Sequence, residues 1–306
     1  MNKIITIGDL HGDYKVFIEI CKMCKLINNN NNWIGKNTYL IQVGDTLDGK
    51  RPGVNMSPEF ITESGELEII ELIIKLDSEA TKVGGRVISI LGNHELYPYY
   101  FNKDKNFLRD YVKKADIDKF KSKYKVDRAT FFKPGNRGGI LLGKTRPLMV
   151  RHGKFLFIHG SITDSLIKYG LVNGKVDIAK VNKDVSLWLR GIAKIPTFLK
   201  EMNEENPVFS RIYSHEKVFN QSECNKIDKQ LEYFPGIEYI VMGHSRFKTI
   251  NQTCNKALIR TDVSLSRAFG GTLPEKNKTF QALEIIQENN KEPVIRIITP
   301  NGYVNI

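Results

Sequence analysis

The run KIITIGDLHGD, residues 3–13, is a β-branched apolar stretch that stops on an aspartate and a histidine two positions apart. A strand pattern with this ending governs the reading of the whole chain, because the ending recurs. TYLIQVGD ends at Asp45, RVISILGNHE closes on Asn93, His94 and Glu95, KFLFIHG contains His159 and YIVMGHS contains His244. Each is a short aliphatic or β-branched run, then often a glycine, then a residue of a metal-ligating type. ALIRTDVSL, TFQALEIIQ and PVIRIIT also read as strands, with less obvious chemistry until Asp262. Residues 14–27 and about 64–82 have the apolar spacing of helices, and 222–234 is a third candidate starting from a Ser222 cap. Alternating strands and helices predict a largely α/β core, with a site beyond the carboxyl ends of the strands. Five such ends deliver Asp9, His11, Asp45, Asn93, His159 and His244 to one edge. The rhythm breaks at residues 96–146, which are aromatic and basic and run into KPGNRGGILLGKTRP. That segment reads as helices plus a glycine-rich loop inserted between core strands. It is taken as a cap over the site, within a single catalytic domain spanning 1–306.

Composition sets outer bounds. Of 306 residues, 41% are hydrophobic and 26% charged, which are globular values. No run approaches the roughly 20 apolar residues of a membrane span, so no membrane partner is expected. The amino-terminal pattern is not that of a signal peptide. A cytoplasmic protein is the expectation, and it leans also on cysteines that read as reduced. Cys21 and Cys24 form a C-x-x-C on the apolar side of a predicted helix and read as small buried hydrophobes, not as a metal or redox pair. Cys224 and Cys254 lie far off with no pairing pattern. The net charge of +12 favours anions such as phosphoesters, nucleic acid or anionic lipid. The lysines are spread along the chain as on a solvated surface, and no aromatic-basic nucleic-acid module is visible.

The strand-end residues suit a pair of metal ions. Asp9 and His11, at i and i+2 on an extended end, point to one side and can hold one ion. The Asp45 carboxylate can bridge two, with Asn93, His159 and His244 on the second. Mixed nitrogen and oxygen ligands suit manganese, iron or zinc more than calcium. Such a pair lowers the pKa of a bridging water and clamps a phosphoryl group for in-line attack. His94 follows Asn93 directly and would face away from that ion, which suits a general acid at the leaving oxygen. Asp48, in VGDTLDGKRPG, would orient it. GNHE can also be read as a turn and helix start, with Glu95 as the capping residue.

Taken together, GDLHG, GDTLDG, GNHE, HG and GHS resemble the calcineurin-like metallophosphoesterases, and among them the phosphoprotein phosphatase branch. FFKPGNRGG, NPVFSRIYS and RTDVSLSRAFGG look like the Shewanella-like protein phosphatases, so the resemblance runs to about residue 286. It implies a two-sheet β-sandwich flanked by helices, with two metal ions at its edge. Asp9, His11 and Asp45 would hold one ion, and Asp45, Asn93, His159 and His244 the other. His94 would be the proton donor, with Asp48 behind it, and Arg211 would grip the substrate phosphate. Asn93 would also face that phosphate. The reaction implied is hydrolysis of protein phosphomonoesters by a hydroxide bridging the metals, on serine or threonine first and tyrosine second. Manganese is the first expectation for the metal, then iron or zinc. A phosphoprotein or phosphopeptide is the expected partner. The alternative keeps the site and changes the substrate to a nucleotide such as a dinucleoside polyphosphate. A third reading, a catalytically silent binding module, is opposed by the complete ligand set.

The sequence departs from that family at Gly49, where the pattern has an arginine that binds phosphate. Lys50 or Arg51 would have to replace it, and Arg51 is the better mimic. Ser161 stands where a second glycine is usual and should be tolerated. Arg137 and Arg267 are further anion-facing candidates, each read first as a surface charge, and Asp262 could support a metal-binding histidine from behind or simply end its strand.

Overall fold

The short apolar runs form strands, and their alternation decides which layer each residue enters. The computed structural model describes residues 2–101, 104–213, 219–288 and 291–306, so Ser214 of NPVFSRIYS lies outside it. The strands are β1 (Asn2–Ile7), β2 (Tyr39–Gln42), β3 (Arg86–Ser89), β4 (Met149–His152), β5 (Phe155–Ile158), β6 (Leu171–Val172), β7 (Lys175–Val176), β8 (Tyr239–Met242), β9 (Asn251–Thr253), β10 (Leu258–Arg260), β11 (Ala282–Gln287), β12 (Val294–Thr299) and β13 (Gly302–Asn305). One sheet has the order β13-β12-β11-β1-β2-β3, the other β4-β5-β8-β10-β9, and β6-β7 is a small separate hairpin. Within the sheets β1, β2 and β3 run parallel, as do β5, β8 and β10. Parallel neighbours end side by side, which is why their carboxyl ends can share one site.

Period-two alternation sorts the side chains. Ile4, Ile41, Phe155, Phe157, Val241 and Ile259 pack between the two sheets. Their neighbours Ile5, Ile7 and Leu40 face the helices Tyr14–Met23 and Glu66–Thr81 on one outer side. Leu156, Ile158, Ile240 and Met242 face Phe131, Leu142, Val185 and Trp188 on the other. The result is the expected two-sheet sandwich with helices outside. Each fully buried Ile or Phe contributes roughly 1.5–3 kcal/mol.

Three local expectations change. The first helix stops at Met23 instead of 27, because Lys25 turns left-handed at φ 56°. The third is Gln221–Leu231, capped by Asn220 in a box with Glu223, with Ser222 inside it. The glycine-rich stretch is not a loop, since Arg137–Thr145 is helical. Its glycines serve close approach: a Cβ on Gly138 would lie 2.4 Å from the Phe131 ring, and one on Gly139 2.5 Å from the Lys133 carbonyl oxygen. The short strands β4, β9 and β13, the β6-β7 hairpin and the helices Asp164–Gly170 and Ile178–Leu189 carry no strand-end chemistry and had no signal comparable to the others.

The cysteines also need correction. Cys224 and Cys254 form a disulfide, thirty residues apart, between the helix Gln221–Leu231 and the turn after β9. A spacing that wide has no local signature. The bond removes one support for the cytoplasmic expectation, since disulfides belong mainly to oxidising compartments. Among the described residues no helix is long and apolar enough to cross a membrane. Cys21 and Cys24 are free and buried, as expected, and burial pushes the Cys24 thiol up to about 12. Protein denatured without reductant should therefore titrate two thiols with a disulfide-exchange reagent. Four would contradict the disulfide.

Candidate active site

Each parallel strand hands one or two polar residues to the same edge. Asp9 and His11 follow β1, Asp45 follows β2, His159 follows β5 and His244 follows β8. Asn93 and His94 open the helix Asn93–Tyr100 after β3, and Glu95 is its capping residue, so the turn-and-helix reading of GNHE also holds. All are buried, with His94 and His244 at 7% the most accessible.

The Asp45 carboxylate stands at the centre. Its Oδ2 lies 3.9, 3.8 and 3.3 Å from the Nε2 atoms of His11, His94 and His159. His159 Nε2 is 3.0 Å from Asn93 Oδ1 and 3.1 Å from His244 Nδ1. Two compact sets of donors result, one of His11, Asp45 and His94, the other of Asp45, His159 and His244. Asp9 adds its Oδ2 at 3.8 Å from His11 Nε2. On the far side of two rings a backbone carbonyl fixes the tautomer. His159 Nδ1 donates to Val43 O at 2.7 Å, and His244 Nε2 to Phe209 O at 3.0 Å. The opposite nitrogens then turn lone pairs inward, as metal-ligating imidazoles do.

The electrostatics fit a cationic centre. Burial pushes His11 and His244 well below the usual imidazole range, with Arg51 and His94 adding to it for His11, and His159 and Arg211 for His244. Both are thereby kept neutral, the form that binds metal. Burial and the nearby carboxylates of Asp262 and Asp45 push Asp9 well above its ordinary value. Burial likewise raises Asp262 to about 6, and its Oδ2 has no hydrogen-bond partner. Asp45 goes the other way: against the effect of burial, His159, His94 and His11 hold it well below the usual carboxylate range. Divalent cations would relieve the repulsion at Asp9 and Asp262. The chemistry of these donors therefore fits divalent metal ions.

His94 and Asp48 are joined as expected. His94 Nδ1 donates to Asp48 Oδ2 at 2.8 Å, which leaves Nε2 facing the cavity. The sequence reading missed what lies behind them. Arg128 Nη2 donates to the other Asp48 oxygen at 2.7 Å and to Glu66 Oε1 at 2.9 Å. The one hint was a lone arginine beside the apolar ATFF of residues 129–132.

The structure also separates Lys50 from Arg51. Lys50 Nζ turns away to the Arg109 carbonyl. Arg51 lines the cavity, with Nη1 donating to Asp48 O at 2.8 Å and Nη2 lying 2.7 Å from the His11 ring. Its guanidinium carbon is 4.9 Å from the Phe269 ring centroid. Gly49 is closely packed. A Cβ there would meet Lys113 Cε at 2.8 Å and His11 O at 3.0 Å. Lys113, from the inserted segment, is buried there and donates to Gly12 O at 3.1 Å.

These groups floor a cavity of about 580 Å³, which Arg211 and Arg51 also line. Arg211 Nη1 donates to His244 O and Ser245 Oγ, both at 2.8 Å. Ser161 is buried and accepts from Tyr213 N at 3.1 Å, bracing the segment that carries Arg211. Two other arginines, read as surface charges before anion ligands, separate here. Arg137 is exposed over the Tyr124 ring, and Arg267 is buried against Asp13 at 2.7 Å, so neither lines the cavity. Asp262 lines it but its carboxylate meets Ser264 N, not a histidine. Tyr97, Tyr111, Arg246 and Phe269 line it too and had no strand-end signal.

A family model described as calcineurin-like phosphoesterase matches residues 2–245. Shewanella-like protein phosphatase 2 of Arabidopsis thaliana is 28% identical, over 98% of this chain and 78% of its own length. Shewanella-like protein phosphatase 1 of Plasmodium berghei is 29% identical, over 98% and 79%. Among solved structures, the cold-active protein-tyrosine phosphatase of a psychrophilic Shewanella species has a TM-score of 0.73 at 20% identity, covering 99% of this chain and 80% of that one. A protein serine/threonine phosphatase from Saccharomyces cerevisiae has a TM-score of 0.53 at 14% identity, over 97% and 79%. The structural likenesses are of fold.

The packing at Gly49 makes a stability prediction. Gly49→Arg should lower the unfolding free energy by about 1–3 kcal/mol, measured by chemical denaturation, because it overfills the space held by Lys113. An unchanged midpoint would show that Lys113 does not occupy that space.

Proposed function

The chain belongs to the calcineurin-like phosphoesterase family and is a metal-dependent phosphoric monoester hydrolase; on that premise we propose that it dephosphorylates proteins, on serine and threonine before tyrosine. The observation that carries the proposal is the buried His94–Asp48 pair at the cavity floor. An alkoxide leaves phosphorus poorly without a proton, whereas a phenolate needs little help, so a built proton donor favours alkyl phosphoesters. Asp9, His11 and Asp45 would hold one divalent ion, and Asp45, Asn93, His159 and His244 the second. That pair, with manganese first and iron or zinc next, would supply Lewis acidity and an activated water.

The chain's own residues do the rest. Arg51 and Arg211 both line the cavity, so their guanidinium groups can grip the phosphate oxygens and stabilise charge as it develops there. The Asn93 side-chain amide can donate to the same phosphate. His94, held through Nδ1 by Asp48, delivers a proton from Nε2 to the leaving oxygen. Burial and Asp45 push the Tyr97 hydroxyl up to about 12, so it remains a neutral donor at the rim. The Tyr97, Tyr111 and Phe269 rings supply an apolar wall, and this favours phosphotyrosine as the second reading.

Initial rates of phosphate release from matched phosphoserine, phosphothreonine and phosphotyrosine peptides test this, after chelation and add-back of Mn, Fe, Zn or Mg. Chelation should abolish release, and one metal should restore it, fastest on the alkyl esters. Faster hydrolysis of a dinucleoside polyphosphate than of all three peptides would contradict the proposal. Within it, Arg51→Ala should lower kcat/KM on the phosphopeptide by about 10–100-fold, the loss of a charged hydrogen bond to phosphate. Lys50→Ala should leave it unchanged. The reverse result would return the missing arginine's role to Lys50.

A further inference from the structure

We propose that Arg128, which the segment inserted between β3 and β4 buries behind the catalytic pair, is a positioning residue for proton donation: it locks the Asp48 carboxylate so that Asp48 holds His94 toward the leaving oxygen. The proposal rests on the reading of His94 as proton donor.

Asp48 sits on a tight turn in the left-handed region, at φ 63°. Its Oδ2 takes the His94 Nδ1 proton at 2.8 Å. Left alone, Oδ1 would be free, and the carboxylate would turn about its terminal bond. Arg128 removes that freedom by donating from Nη2 to Oδ1 at 2.7 Å. Glu66 completes the lock. It accepts from Arg128 Nε and Nη2, and its Oε1 also accepts from the Asp48 backbone N–H at 2.8 Å. The guanidinium thus lies between two carboxylates, one on the catalytic turn and one on the helix Glu66–Thr81. Asp48 and Glu66 are fully buried, and the Arg128 side chain is 2% exposed. Its guanidinium carbon lies 5.5 Å from the centroid of Phe132. Without the arginine, two buried carboxylates would face one another, and one of them would take up a proton or move. Either response lets His94 swing.

A purely structural ion pair has the same geometry but a different kinetic signature. p-Nitrophenyl phosphate releases a stable phenolate that needs no proton, while a phosphoserine peptide must be protonated as it leaves. In Arg128→Met and Arg128→Lys, kcat on the phosphoserine peptide should fall about tenfold or more, part of the 10²–10⁴ that a positioned acid supplies. KM for the peptide, kcat on p-nitrophenyl phosphate and bound metal should each stay within about threefold, since no phosphate or metal contact is lost. In an Asp48→Asn background, Arg128→Met should add nothing further, because the arginine acts through Asp48. Equal losses on both substrates, or a full additional loss in that background, would overturn the proposal.

His94→Asn separates the two levels of inference. If it shows no preference for the substrate with the poor leaving group, the proton-donor reading fails and the Arg128 proposal with it. If His94→Asn is selective and the Arg128 variants are not, only the Arg128 proposal fails. Should Arg128→Met not fold, Glu66→Gln keeps the arginine and the shape while removing the anchoring charge. It should show the same selectivity at smaller size, and an unselective loss there would equally overturn the proposal.

Discussion

The Asp45 carboxylate, buried where the two sets of candidate metal ligands meet, is the constraint around which the rest is arranged. Three neighbours in the site and its own backbone are bent around it. Asp45, His11, Asp48 and His244 all have positive φ, at 56°, 42°, 63° and 68°. Non-glycine residues in that region cost on the order of 1–3 kcal/mol each when strained, and they persist only when the surroundings over-determine them. The surroundings do so here. Leu10 and His11 donate their N–H groups to the Asp45 carbonyl at 3.0 and 2.9 Å. Glu95 accepts from the N–H groups of Asp45 and Thr46 at 2.9 and 2.7 Å. His94 N–H donates to Asp45 Oδ1 at 2.9 Å. The turns after β1, β2 and β3 therefore hold one another through backbone N–H groups, bonded partly to a backbone carbonyl and partly to the Glu95 and Asp45 carboxylates.

The sandwich makes this possible by bringing parallel strand ends level, and the segment between β3 and β4 then completes the site from inside. Lys113 fills the space beside Gly49, Arg128 reaches Asp48, and Tyr111 lines the cavity. A segment first taken as a cover thus sends two buried cations into the catalytic loop. A side chain at position 49 would have to displace the end of Lys113, while Arg51 two residues later lines the cavity.

What was legible in the sequence was the part written in short range. A β-branched run ending in a glycine and a ligand fixes both a strand and the direction of one side chain, so Asp9, His11, Asp45, Asn93, His159 and His244 could be found without a structure. The structure brings all six to one edge. Arg128 and Glu66 were not legible, because a buried ion pair 62 residues apart leaves no spacing to read. The Cys224–Cys254 bond was invisible for the same reason. Arg137–Thr145 was misread because glycine was treated as a loop former, when here it allows a helix to pack against Phe131 and Lys133. Arg267 read as a surface charge or an anion ligand, and it is neither, being buried in an ion pair. Its partner Asp13 is at the other end of the chain.

The measurement that tests the central claim most directly is metal stoichiometry, by elemental mass spectrometry on desalted protein saturated with manganese. The unaltered chain should hold two ions. Asp45→Asn, shown to be folded by its melting transition, should lose both, since each set of donors depends on that carboxylate. A chain that saturates at one ion, or an Asp45→Asn variant that keeps two, would contradict a dinuclear centre built on Asp45.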